Sequence, residues 1–364
     1  MADIGGTHIR FRLLKMSKNI EDEVDALDTT KLKTSEYESL EILLKEYLSS
    51  IKENYPEIAV IGIPGPVQDN TIIKLPNIPH WKTESGDHLG KIFNIKKFLF
   101  LNDFACNSYG IQTKLILDED YIILNQGEPK KNGAKAIIGP GTGLGMGYLV
   151  KNKNDKYYTI GSSEGGHQSF SRKNNKLFEL AEFVKKEYNL KYVTIENICS
   201  GQGMVPLYKF LLEKEKEENK KNGINIKDID RDKNLGEKVD NFNDYKNKKL
   251  RDQLSNEITQ KGVKGECKLS RKTIELFIEI LADAASDLSL MIMPSNGVYL
   301  LGGISTAIEP FIKQNNLFME HFLDKDHSFL LKSFPIYLIK NDNIGMIGAS
   351  ESARRLLEEF EEGK

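Results

Sequence analysis

The sequence predicts an α/β protein, and three observations carry that expectation. Short apolar segments alternate with stretches whose apolar residues recur at helical spacing, the pattern of helices layered on sheet. Polar and glycine residues gather directly after the apolar segments, where open α/β sheets bind ligands. The length, 364 residues, calls for two domains or one large two-lobed one.

The elements follow in order. Leu40, Leu43, Leu44, Tyr47, Leu48 and Ile51 mark one face of a helix. Ile58-Ala59-Val60-Ile61-Gly62-Ile63 is a buried strand that ends at Pro64-Gly65-Pro66. Phe98-Leu99-Phe100-Leu101 is another, ending at Asn102-Asp103. Tyr121–Leu124 and Ala136–Ile138 follow, the latter running into a glycine cluster, and Gly297–Leu301 ends at Gly302-Gly303. Residues from about 213 to 265 differ, being rich in Lys, Asn, Glu and Asp. Such a stretch buries too little apolar area to offset its ordering entropy, so a surface insertion, part helical and part disordered, is expected. No internal repeat is evident at a fixed spacing.

Composition excludes several functions. The net charge of -2, from 51 basic and 53 acidic residues, argues against a nucleic-acid surface or a polybasic membrane patch. There is no apolar run of the ~18 residues a membrane span needs, and no charged-then-apolar leader. Cys106, Cys199 and Cys267 lie too far apart for a zinc pattern or a disulfide framework. The cytoplasm is the expected compartment.

Two glycine turns look built for phosphate. Asp3-Ile4-Gly5-Gly6-Thr7-His8 is the first and Gly139-Pro140-Gly141-Thr142-Gly143-Leu144-Gly145 the second. Glycine lets backbone N–H groups approach an anion with no Cβ in the way, and each threonine adds a hydroxyl donor. Asp3 is suited to hold Mg²⁺ through its water shell. Neither turn is followed by the Gly-Lys-Ser/Thr of a Walker A loop. A tight hairpin accounts for either turn about equally well.

The order of motifs carries a resemblance. DIGGT with Arg10 close behind, LNDFACNSYGI, IGPGTGLGMGYL, SSEGGHQSF, ENICSGQGM and LLGGIS occur in this sequence along the chain, and FPIYLIKNDNIGMIGAS closes it. This resembles the ATP-dependent glucokinases of bacterial type, within the hexokinase–actin ATPase superfamily. The related ROK kinases are less similar, because their cysteine-rich zinc motif is missing. The resemblance implies two ribonuclease-H-like α/β lobes around a cleft. The small lobe would hold about residues 1–104 plus 344–364, and the large lobe about 105–343.

The same resemblance implies roles. Asp103 would be the base that receives the proton of the sugar's hydroxymethyl group. An unperturbed Asp, with a pKa of about 3.9, is ionised at pH 7, and such a carboxylate accepts the proton only as the oxygen bonds to phosphorus. Asn102 and Asp103 would bind the sugar, as would Asn77, Glu164, His167 and Glu196. A carboxylate can accept from two vicinal hydroxyls, which suits a pyranose. Each of these residues also has a plainer reading: a strand-end cap for Asn102-Asp103, a helix start for Glu196, a structural hydrogen-bonder for His167. Asp3, Gly5, Gly6, Thr7, Gly141, Thr142 and Gly143 would hold the ATP phosphates, and Gly302 and Gly303 would face the adenosine. His8 stands where the family commonly has Asn. Trp81, the only tryptophan, is as well explained by a core as by the sugar site. No protein metal cage is expected, and Mg²⁺ should arrive with ATP.

The implied activity is phosphorylation of D-glucose to glucose 6-phosphate. A catalytically impaired glucose sensor and a kinase for another hexose are the alternatives. The family is often dimeric, so a homodimer is the candidate assembly. Where about five to eight apolar residues of strand would precede the first Asp, only Met1 and Ala2 do so. A truncated start explains this better than a degraded paralogue, since the other motifs are intact. Ile9–Leu14 should then lack much of its hairpin partner.

Overall fold

The computed structural model describes residues 1–5, 8–15, 26–51, 54–75, 78–113, 118–222, 232–243 and 247–362. The chain forms two compact units. One comprises Met1–Asp120, Ile160–Ser162 and Asn341–Lys364, the other Tyr121–Thr159 and Ser163–Lys340. The first therefore runs past the expected boundary at residue 104, and the reason is local packing described below.

The first unit is built on strands β1 (Ala2–Ile4), β2 (His8–Leu14), β3 (Ala26–Lys33) and β4 (Ile58–Ile63). A small hairpin follows, β5 (Val67–Gln68) and β6 (Thr71–Ile72), and then β7 (Lys97–Asn102). The main sheet has the order β3-β2-β1-β4-β7. Its β1–β2 and β2–β3 pairs are antiparallel, and β4 runs parallel to β1 and β7. Helix α1 (Leu40–Ser50) forms where the leucine spacing predicts it, with Ser39 accepting from the Ile42 N–H at 3.2 Å as its N-cap. Its buried Leu40, Leu43, Leu44, Tyr47 and Leu48 join Ile4, Ile9, Phe11, Ile61 and Phe100 in one core. The short α2 (Gly86–Ile92) adds Leu89 to it.

The other face of the sheet is covered by α3 (Asp103–Gly110) and by the terminal α13 (Ile344–Glu362). Cys106, Ala349 and Ala353 pack there against Val60. The two helices approach closely enough that a Cβ on Gly348 would overlap the Cys106 carbonyl oxygen. This packing holds α3 in the first unit and moves the boundary from 104 to Asp120.

The strand β1 is short. It pairs only Ile9–Phe11 of β2 in regular register, and Met1 adds two bonds to Arg12: its nitrogen donates to the Arg12 carbonyl at 3.0 Å, and its carbonyl accepts the Arg12 N–H at 2.9 Å. Leu13 and Leu14 are paired with β3 alone, and Leu13, Ile58, Ala59 and Phe98 line an apolar hollow beside Met1.

The second unit contains β8 (Tyr121–Asn125), β9 (Lys135–Pro140), β10 (Leu144–Val150), β12 (Val298–Leu300) and β13 (Ile336–Ile339), and the two end residues of β11 (Thr159–Ser163). Its sheet has the order β11-β10-β9-β12-β13-β8. The hairpin β9–β10 is antiparallel, whereas β12 is parallel to β9 and β13. Helices α4 (Asn175–Glu187), α5 (Met204–Lys221), α6 (Lys233–Asp240), α7 (Lys248–Val263) and α8 (Lys268–Ile292) follow β11. After β12 come α9 (Gly303–Ala307), α10 (Glu309–Lys313), α11 (Leu317–Phe322) and α12 (Ser328–Leu331). Phe277, Leu281 and Ala285 of α8 lie in one core with Ile138, Val298, Leu300 and Leu338 of the sheet.

The expectation for residues 213–265 is corrected in part. Its described residues are mostly helical and do close a core: Leu235, Val239, Phe242, Leu254 and Ile258 pack on Val205, Tyr208 and Leu212 of α5 and on Cys267 and Leu269. Its apolar residues are few, yet Leu235/Val239 and Leu254/Ile258 are four apart and share one helix face. Residues 223–231 and 244–246, where part of the expected disorder falls, lie outside the described residues. All three cysteines are buried and unbridged. Among the described residues no helix is long and apolar enough to cross a membrane.

Candidate active site

In the first unit, β7 hands the chain to α3 through Asn102. Its Oδ1 accepts the Phe104 and Ala105 N–H groups at 2.9 and 3.4 Å, and its Nδ2 donates to the Gly65 carbonyl at 3.0 Å. Asn102 is thus a helix N-cap that also ties the end of β7 to the turn after β4. Asp103 is left as the first residue of α3, exposed, with Oδ1 accepting its neighbour's Phe104 N–H at 2.8 Å. The cap reading and the site reading hold together: the cap is what fixes Asp103 in place.

Asp103 lines a hollow of about 490 Å³ with Asp3, Arg10, Arg12, Asn107 and Asp342. Asp3 and Arg10 are direct cross-strand partners on β1 and β2. Burial pushes the Asp3 carboxyl up from its ordinary value, and the Arg10 guanidinium opposes that shift. Gly62 on β4 leaves room here: a Cβ would lie 3.0 Å from Cys106 Sγ and 3.7 Å from Asp3 Oδ1. The Gly5 N–H closes the hairpin on the His8 carbonyl at 2.7 Å. Gly6, Thr7 and Asn77 lie outside the described residues. Trp81 is a core anchor, buried, with Nε1 donating to the Tyr37 carbonyl at 2.9 Å.

In the second unit the glycine turn joins β9 to β10. Gly201 N–H donates to the Gly141 carbonyl at 2.8 Å, and Gly141 N–H to the Gly143 carbonyl at 2.8 Å. Gly302 has φ 91°, and a Cβ there would lie 2.5 Å from the Pro140 carbonyl oxygen, so only glycine fits. A Cβ on Gly141 or Gly303 would meet no atom within 4 Å, which leaves open space over both. Gly141, Thr142, Gly143, Gly302 and Gly303 are therefore neighbours, as a nucleotide site would need. Thr142 is exposed on the turn.

Glu164 and His167 are exposed, with His167 Nε2 3.7 Å from Glu164 Oε2 across a short 3-10 turn. That turn presses on β10 through Gly165 and Gly166, since a Cβ on Gly166 would overlap the Leu144 carbonyl oxygen. The Gly166 carbonyl accepts the Glu196 N–H at 2.9 Å, which brings Glu196 beside Glu164 and His167. The Glu196 carboxylate is engaged on both oxygens. Oε2 accepts the Leu144 N–H at 2.8 Å, and Oε1 accepts Gln202 Nε2 at 3.0 Å.

Sequence reasoning passed over Asn107, Asp342 and Gln202. For Asp342 the signal was present: a polar pair, Asp342-Asn343, stands between an apolar segment and a helix. Gln202 carries no such signal, because its partner is set by the turn at Gly201–Gly203. Among the described residues, no group of three or more His, Cys, Asp or Glu side chains is placed to hold a metal ion.

The family model for glucokinase matches residues 1–356. The chain belongs to the glucokinase family. A glucokinase of Trichormus variabilis is 31% identical over 359 residues, covering 97% of this chain and 98% of that one. Among solved structures, the glucokinase of an Antarctic psychrotroph aligns with a TM-score of 0.72 and 26% identity, over 97% of this chain and 98% of that one. A ROK family glucokinase from Streptomyces griseus, solved with glucose and AMPPNP, shares the fold at TM-score 0.56 and 19% identity, over 97% and 98% of the two chains. This glucokinase family member thus has the expected actin-like ATPase fold, with an α/β sheet of ribonuclease-H-like order in each unit. It is a kinase that phosphorylates glucose with ATP, as its family does.

Proposed function

We propose that Asp103 is the base of this reaction, receiving the proton of the glucose 6-hydroxyl as that oxygen bonds to the γ-phosphorus of ATP. The observation that carries this is the exposed Asp103 carboxylate, fixed at the head of α3 and sharing a hollow with Asp3 and Arg10. Phosphoryl transfer needs alignment and charge neutralisation more than covalent help, and a carboxylate held by a capped helix supplies the alignment. Asn77, Asn102, Glu164, His167 and Glu196 hold the sugar, with Glu164 and Glu196 accepting from its hydroxyls and His167 reading one ring position. A site that bonds each hydroxyl rejects sugars lacking one.

The ATP phosphates lie against Gly5-Gly6-Thr7 and Gly141-Thr142-Gly143, and the adenosine against Gly302-Gly303. The glucose and AMPPNP bound by the Streptomyces griseus neighbour support these two ligands. Magnesium carried by ATP neutralises charge on the phosphates. Asp3 is the residue to hold its water shell, since a half-buried carboxylate facing a hollow of about 490 Å³ fits a hydrated ion. The family resemblance supports a cytoplasmic protein and a homodimer.

The test is ADP production from Mg-ATP with D-glucose, beside galactose, fructose, mannose and no sugar. Glucose-dependent turnover that exceeds the other sugars is expected. Equal turnover on another hexose would move the specificity away from glucose, and glucose binding without turnover would make the protein a sensor.

A further inference from the structure

We propose that the Glu196 carboxylate couples the sugar subsite to the glycine turn at Gly141–Gly143, and that Gln202 is the positioning residue that sets it. This rests on the reading of Glu196 as a sugar ligand. One residue here touches three segments. Its backbone N–H is held by Gly166, between Glu164 and His167. Its Oε2 accepts the N–H of Leu144, the residue that ends the glycine turn, at 2.8 Å, and its Oε1 accepts the Gln202 amide at 3.0 Å. The turn is also pinned from behind by the bond from Gly201 N–H to the Gly141 carbonyl at 2.8 Å, two residues after which Gly203 opens α5.

The geometry leaves work for the carboxylate. Each of its oxygens offers about two acceptor positions, and the two bonds described use one on each. The remaining positions suit two vicinal sugar hydroxyls. A carboxylate already aimed by Leu144 N–H and Gln202 meets the sugar with its orientation set. A sugar bound there holds the carboxylate, and through it the Leu144 N–H and the turn. Binding at the turn is then eased by glucose, and by linkage glucose binding is eased to the same degree by nucleotide. Gly143 belongs to the device: a Cβ there would overlap Glu196 Oε2, so glycine is required for the carboxylate to reach Leu144.

Two substitutions reach the carboxylate from opposite sides. Gln202→Leu removes the donor to Oε1. Gly143→Ala pushes Oε2 off the Leu144 N–H, at small cost to the fold because what must move is the end of a flexible side chain. The measurement is calorimetric titration of AMPPNP with Mg²⁺ into the full chain, with and without saturating D-glucose. In the native protein glucose should tighten AMPPNP binding by about fivefold or more. In both variants that ratio should fall to less than about twofold, with Tm within a few degrees of native. A merely structural role would lower Tm or turnover and leave the ratio intact. Persistence of the ratio in either folded variant overturns the proposal, as does a native ratio of one in a protein that phosphorylates glucose. A native protein that neither binds nor phosphorylates glucose would instead bring down the reading of Glu196 as a sugar ligand.

Discussion

Asp103→Asn should lower kcat on glucose by about two to four orders of magnitude, the range general-base groups contribute. Stability should hardly change. Asparagine keeps the oxygen that accepts the Phe104 N–H at 2.8 Å, and Asn102 caps α3 independently at 2.9 Å. What is lost is a negative charge at a helix N-terminus, about 0.3–1 kcal/mol, together with the ability to take a proton. The substitution therefore separates chemistry from folding. The glucose KM should move far less than kcat, because the amide still bonds the hydroxyl in the ground state. The checks are steady-state kinetics with a coupled ADP assay and a thermal melt. Retention of more than about a tenth of native turnover would remove Asp103 from the role of base.

Gly348→Ala should be among the most damaging single changes in the chain, costing about 3 kcal/mol or more. The added methyl would overlap the carbonyl oxygen of Cys106, which is backbone and cannot swing aside. Either α13 or α3 must move, and α3 begins with Asp103. Turnover is expected to fall along with Tm, although residue 348 lies far along the chain from residue 103. Gly345→Ala, one turn earlier on the same helix, is the natural control. Its Cβ would stand 3.2 Å from Asn107 Oδ1, a side-chain atom able to yield, so its effect should stay below about 1 kcal/mol. Equal Tm values for the two variants would contradict the account of this helix crossing.

Much of this fold is legible in the sequence because strands and turns are local. The apolar runs at Ile58–Ile63 and Phe98–Leu101 became parallel neighbours in one sheet, and both glycine turns became hairpins. The alternative readings of those turns, hairpin or phosphate site, are compatible, since a hairpin turn is the place where open backbone and glycine coincide. What the sequence hides is contact between distant residues. The boundary expected at residue 104 came from the family resemblance, whereas the packing of the first unit joins α3 to a helix more than two hundred positions later. The helices expected in segment 213–265 are present, but its polar composition hides the core they close, because Leu235, Val239, Phe242, Leu254 and Ile258 are spaced to share faces. Nothing in ENICSGQGM shows that the Glu196 carboxylate reaches Leu144 and Gln202, so neither the sugar-ligand nor the helix-start reading includes that contact.

The last helix of the chain completes the first unit. That has a consequence for synthesis. A ribosome extends the chain at about 5–20 residues per second, and domains generally fold as units when their parts have emerged. Here the sheet made from β1, β2, β4 and β7 emerges early with only α3 on its second face, and Val60 and Cys106 lack part of their cover until Ala349 and Ala353 arrive. The second unit, wholly contained between Tyr121 and Lys340, emerges complete before then. The nascent protein thus matures from its middle outward, and the strand and helix that carry Asp103 are made early but locked late.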